Sequence, residues 1–109
     1  KRPEAIKILA SISKNDGATL LNNLISYQMA NLLIYQNKVA ESIEVLNLVS
    51  GEDIYNELSQ ILLAEIHDYL LEDLASAKFY YLSILQNFPN SIHYEQVRIR
   101  LKQIMDESL

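Results

Sequence analysis

The chain has 109 residues, half of them apolar and about a fifth charged, with a formal net charge of −5, two glycines, two prolines and no cysteine. Its four helix breakers, Pro3, Gly17, Gly51 and Pro89, are too few for an all-β domain, where turns recur every roughly 8–12 residues, and its wealth of Leu, Ile and Tyr is foreign to disordered segments. Without cysteine there is no disulfide framework, thiolate zinc site or cysteine nucleophile, although the redox compartment stays open.

The size suits one domain with a modest core. The longest apolar runs are about four residues, such as Leu32–Tyr35 after Asn31, far below the roughly 20 that span a bilayer, so the segment reads as soluble, with no direct membrane insertion. It opens on Lys1, Arg2, Pro3 without an initiator Met, which reads as a piece of a longer protein whose targeting signal is lost. From Val39 to Ala77 there are nine acids (Glu41, Glu44, Glu52, Asp53, Glu57, Glu65, Asp68, Glu72, Asp73) and no Lys or Arg, while both flanks are net basic. An acidic centre argues against nucleic acid, whose phosphates call for clustered Lys and Arg.

Apolar spacing at three and four residues predicts six helices. The first runs from about Pro3, tolerated near a helix start, to Lys14, with Ile6, Leu9 and Ile12 on one side, and stops at Asn15, Asp16, Gly17. The second, about Thr19 to Gln36, carries Leu20, Leu24, Tyr27, Leu32 and Tyr35 and ends at Asn37, Lys38. The third, about Val39 to Val49, is expected to bury Ile43, Leu46 and Val49, with Ser50 and Gly51 as a left-handed C-terminal cap. The fourth, about Glu52 to Leu71, has acids in its first turn, which suits the helix dipole, and breaks at Glu72, Asp73. The fifth, about Leu74 to Asn87, ends before Phe88, Pro89 and Asn90. Ser91 is the expected N-cap of the sixth, with Glu95 near the capping-box position, and that helix runs to about Glu107. Short connections make these antiparallel hairpins.

Internal repetition organises them. Glu4-Ala5-Ile6-Lys7-Ile8-Leu9 and Glu41-Ser42-Ile43-Glu44-Val45-Leu46 share one pattern, and Ala77 to Tyr81 is a looser third copy. A second series recurs thirty-four residues apart: Leu24 with Leu58, Ala30 with Ala64, and Tyr35 with Tyr69. Periods of this size mean stacked helix pairs. On these residues the chain resembles the tetratricopeptide repeat family: Ala30 and Ala64 match the small residue of the first helix of each unit, Ser42 and Ala77 that of the second, and Ala77, Tyr81 and Pro89 the spacing of small residue, aromatic and proline. The family's Trp is absent, with Ser26 and Gln60 in its place; Ile84 replaces a second small residue; and one extra residue is needed between Ala64 and Ala77. Sel1-like and HEAT repeats are the alternatives. Phe88 to Leu101 resembles the closing segment of bacterial envelope repeat proteins.

The resemblance implies an all-α antiparallel helix-hairpin solenoid: a half repeat over 1–18, repeats over 19–51 and 52–90, and a solubilising capping helix over 91–107. It further implies a periplasmic or envelope location, with the cytoplasm as the alternative. Carrying over the family's concave groove gives Tyr27, Asn31 and Tyr35 in one repeat, Ile61, Glu65 and Tyr69 in the next, and His93, Gln96 and Arg100 on the capping helix. Tyrosines beside hydrogen-bonding groups can hold a peptide; the plainer reading makes the tyrosines half-buried packing residues and leaves Glu65 and Arg100 solvated. A chaperone-type carboxylate clamp is disfavoured, because only Asn31 fits it, and the acidic residues 41, 44, 72 and 73 read as a solvated outer face.

No catalytic or cofactor equipment is visible. Glu65 and His67 lie about 200° apart on a helix, whereas metal ligands on helices need a spacing of three or four; His67 instead stands where the family packs an aromatic, and His93 with Glu95 is the weaker metal candidate. The pair His67, Asp68 resembles that of metal-dependent phosphohydrolases in two letters only, and there is neither a glycine-rich phosphate loop nor a nucleophile elbow. The expectation is a non-catalytic protein-interaction module with a protein or peptide partner, no cofactor and no metal. A structural or self-associating segment, and an accessory domain of an enzyme whose active site lies elsewhere, are the alternatives.

Overall fold

A computed structural model of the protein describes residues 19–51 and 53–107. Its elements are α1 (Thr19–Tyr35), α2 (Val39–Leu46), α3 (Ile54–Glu65), a π-helical turn (Ile66–Leu70), α4 (Leu74–Asn87) and α5 (Tyr94–Glu107), with no strand among the described residues. The all-α expectation holds. Five α-helices stand among the described residues rather than six; the first expected helix, over Pro3–Lys14, lies outside them. The chain divides into two compact units at Ser59 and Gln60, within α3.

In the first unit, α1 packs on α2 across a three-residue turn. The helix ends because Asn37 takes the left-handed conformation, φ 62°, while Asn37 N–H donates to Ile34 O at 2.9 Å and Lys38 N–H to Leu33 O at 2.8 Å. That pair of bonds is the Schellman motif, which satisfies carbonyls that a helix end leaves free. The buried face of α1 is Asn22, Asn23, Ser26, Ala30 and Leu33, whereas Leu20, Leu32 and Tyr35 are exposed. Small size decides this: Ala30 and Ser42 are both fully buried, and the Ser42 hydroxyl donates to Ala30 O at 3.0 Å, a contact that only closely approaching backbones allow.

α2 is shorter than expected. It stops at Leu46, and i→i−3 bonds from Leu48 N–H and Val49 N–H (3.0 and 3.1 Å) tighten the chain beyond it. Leu46 and Val49 are buried as expected and Ile43 partly so. Gly51 is left-handed, φ 87°, but lies beyond these turns rather than capping the helix. The buried Asn23 amide then anchors the loop, donating to Ser50 O (2.6 Å) and Asp53 Oδ2 (2.8 Å) and accepting from Ser50 N–H (3.3 Å). Asp53 in turn accepts from Tyr55 N–H (2.8 Å) and Asn56 N–H (3.2 Å), which starts α3 two residues later than expected.

In the second unit, Ala64, Ala77, Tyr81, Ile84, Val97, Leu101 and Ile104 form one core, flanked by Ile61, Tyr80, Leu85 and Phe88. α4 has the expected ends. Asp73 caps it by accepting from Ser76 N–H (3.2 Å) and Ser76 Oγ (2.7 Å), and Phe88 precedes Pro89 where it stops. α5 starts three residues after Ser91, whose hydroxyl accepts from His93 N–H at 3.0 Å. Glu95 does not close a capping box; it binds Arg98 in two parallel bonds of 3.0 and 2.6 Å.

The expected single helix over Glu52–Leu71 is interrupted by the π-helical turn, in which Leu71 N–H reaches Ile66 O at 2.9 Å, an i→i−5 bond. A π turn takes in one residue more than α geometry. It accounts for the extra residue between Ala64 and Ala77 that repeat spacing alone left over.

Candidate functional site

The π turn places a charge in the protein interior. Asp68 is 4% exposed, and an isolated carboxylate there would be prohibitively unstable. Three donors meet it. The Tyr81 hydroxyl donates to Oδ2 at 2.8 Å, Arg100 Nε donates to the same oxygen at 2.7 Å, and Arg100 Nη2 donates to Oδ1 at 2.7 Å. The two arginine bonds form a fork, the strongest neutralising geometry available to a carboxylate.

The charges respond accordingly. The Arg100 guanidinium, helped by the Tyr81 hydroxyl, holds the Asp68 carboxyl below its ordinary range against the opposing effect of burial. Burial, and then the neighbouring Asp68 carboxylate, push the Tyr81 phenol far above its usual value, so it is a fixed proton donor. The bond to Asp68 raises Arg100 further.

Asp68 also orients the surface above it. Arg100 lies 5.5 Å from the ring centroid of Tyr69, a cation–π distance. Its Nη1 donates to Gln103 Oε1 at 3.2 Å and approaches Glu107 at 4.0 Å. Tyr69 itself is 62% exposed. The result is a flat aromatic surface beside a guanidinium whose position is set from beneath.

Among the other groove candidates of this unit, Glu65 is exposed as a residue, yet loss of hydration at its carboxyl raises its pKa, with His93 opposing the rise and Asp68 adding to it. Ile61 packs against the core, His93 is half-buried and Gln96 is exposed. Arg100 is not the solvated group of the plainer reading, because its guanidinium is committed to Asp68.

In the first unit, Tyr27 faces Tyr55 with ring centroids 6.2 Å apart, the Asn31 amide donates to Tyr27 O at 2.9 Å, and Tyr35 is 86% exposed. His67 sits at the core boundary, stacked on Tyr80 at 5.2 Å, with its Nδ1 buried and 3.9 Å from Asp73 Oδ2, too long for a hydrogen bond. Among the described residues no group of three or more His, Cys, Asp or Glu side chains is arranged to hold a metal, and no helix is long and apolar enough to cross a membrane.

Sequence reasoning missed Asp68 as the centre of this arrangement. The visible signal was the extra residue in the second hairpin, immediately upstream of an aromatic at Tyr81 that needed a hydrogen-bond partner once buried. Comparison of the chain with protein-family models, with curated proteins and with solved structures finds no match.

Proposed function

We propose that this chain is a non-catalytic protein-interaction module built from tetratricopeptide-like helical pairs, and that it captures a protein or peptide partner on the surface formed by Tyr69 and Arg100. The observation that carries this reading is the exposed Tyr69 ring held against a guanidinium that buried Asp68 fixes in place. Binding loses affinity when side chains must be ordered on contact, so a pre-set Tyr–Arg pair is favoured as an anchor. Glu65 and His93 extend the surface with groups able to bond a peptide backbone.

The test places a photo-crosslinking amino acid at position 69 and, separately, at the exposed position 20. A discrete partner should be captured from position 69 and not from position 20. Titration of that partner should then show binding weakened about tenfold by Tyr69→Ala, with helicity unchanged by circular dichroism. Equal capture from both positions, or undiminished binding by Tyr69→Ala, would remove the proposed surface.

A further inference from the structure

A second surface of the same unit lies on the other components of α4 and α5. Leu74, Ala75, Lys78, Phe79, Leu82 and Ile104 line an open groove of about 410 Å³. Buried Ile104 forms its floor, while Phe79 and Leu82 are 69% and 45% exposed. Leu74, Lys78 and Leu82 are spaced four residues apart, with Ala75 and Phe79 beside them, so the groove follows α4 for about 12 Å, roughly two helical turns. Its small residue, Ala75, leaves room between the larger walls.

The lining offers a single polar side chain. Lys78 is the only Lys or Arg between Val39 and Val97, it is exposed, and it forms no ion pair with a described residue. Neither helical neighbour at four residues' distance, Leu74 or Leu82, is acidic, so no pair forms along the helix face either. A lone cation in an apolar channel, within a stretch otherwise rich in acids, is complementary to one kind of ligand. A small molecule would find no converging polar groups to orient it, and an anionic lipid surface would be repelled by the net charge of −5.

We infer that this groove docks an amphipathic helix of a partner protein, with apolar side chains at three- and four-residue spacing seated between Leu74, Phe79 and Leu82, and an acidic side chain paired with Lys78. Helix-in-groove recognition supplies affinity through the apolar anchors, and the single cation sets the register. The inference concerns a face other than that of Tyr69 and Arg100 and stands or falls separately from it.

The test selects a displayed library of amphipathic helical peptides on the intact chain, then measures the enriched peptides, made synthetically, by fluorescence anisotropy. Enriched peptides should carry Glu or Asp flanked by Leu, Ile or Phe at helical spacing. Phe79→Ser and Lys78→Glu, both at exposed positions, should each weaken binding tenfold or more, and a Glu→Lys peptide should recover affinity for Lys78→Glu. Binding unaffected by both variants overturns the inference. Loss on Tyr69→Ala alone would assign the peptides to the Tyr69–Arg100 surface and overturn the groove, and a library with no enriched peptide would overturn the groove while leaving the Tyr69–Arg100 surface to its own crosslinking test. Sedimentation showing a dimer that Phe79→Ser dissociates would give the groove to a second copy, and flotation with phosphatidylserine vesicles, abolished by the same variant, would give it to lipid; either outcome also overturns the inference.

Discussion

The turn from α1 to α2 and the turn from α3 to α4 are built from corresponding parts and differ by one residue. Ala30 and Ala64 are thirty-four residues apart, and Ser42 and Ala77 thirty-five; all four are fully buried. The left-handed residues Asn37 and Glu72 occupy matching places, φ 62° and 52°, and matching bonds of 3.0 Å join Ser42 N–H to Lys38 O and Ala77 N–H to Asp73 O. In the first turn the closing bond spans five residues, Lys38 N–H to Leu33 O at 2.8 Å; in the second it spans six, Asp73 N–H to His67 O at 2.7 Å. One inserted residue is absorbed as a π turn while Ala64 and Ala77 stay fully buried in one core on either side of it. What the insertion adds is a buried carboxylate. The lesson is that the hairpin scaffold tolerates a local change in helix winding, and that the change is where a tertiary charge network enters.

The largest effect should follow from breaking that network. Asp68→Ala leaves Arg100 and the buried Tyr81 hydroxyl without their acceptor and should cost about 3–5 kcal/mol in denaturant unfolding. Ile34, which stands thirty-four residues earlier, carries no charge and is only partly buried, so Ile34→Ala should cost clearly less. Equal costs would mean that the π turn adds nothing beyond ordinary packing.

The next effect tests the similarity rather than the difference. Ala30→Leu and Ala64→Leu both force a larger side chain into a fully buried site and should each destabilise by roughly 1–3 kcal/mol. A neutral result at one position and a large one at the other would show that the two sites are not packed alike.

These two predictions also separate what was legible in the sequence from what was not. Spacing gives the pair Ala30 and Ala64, and the resemblance to tetratricopeptide repeats adds Ser42 and Ala77 as the small residues of the second helices, where close approach calls for Ala or Ser. It also found both ends of α4, where Asp73 and Pro89 act locally. It did not find the buried face of α1, because apolar Leu20 and Leu32 fit a helical stripe as well as Ser26 and Ala30 do, and only the partner helix decides between them. Asp68 was illegible for a stronger reason: its burial depends on Arg100, thirty-two residues away, and on a winding change that no propensity scale registers. Among the nine groove candidates, Tyr69 and Arg100 do come together, but with Arg100 held from below rather than free.

A smaller effect should distinguish the two turns. A left-handed conformation costs a residue with a side chain about 1–2 kcal/mol, and Asn is among the few that adopt it readily. Glu72→Gly should therefore stabilise by about 1 kcal/mol, while Asn37→Gly should change little. An equal gain at both would mean that Asn37 fits its left-handed turn no better than Glu72 fits its own.

The smallest effect concerns pH, and Asp68 and Glu65 should act with opposite sign. The folded-state pKa of Asp68 lies below its ordinary 3.8, chiefly through Arg100, so its stabilisation is complete above that value and is lost as pH falls through the depressed one. Glu65 is shifted above its ordinary 4.5 by loss of hydration, so its ionisation opposes folding: the stability it permits is greatest below 4.5 and declines as pH rises through the raised value. Exposure and screening keep the Glu65 contribution small. Unfolding midpoints measured from pH 2 to 8 should thus show Asp68→Asn flattening the acid limb, and Glu65→Gln raising stability slightly near neutrality without altering that limb. If Glu65→Gln instead lowered stability at pH 7, its carboxylate would be a bonded partner within the fold, and the surface beside Tyr69 would lose the one acidic group assigned to partner contact.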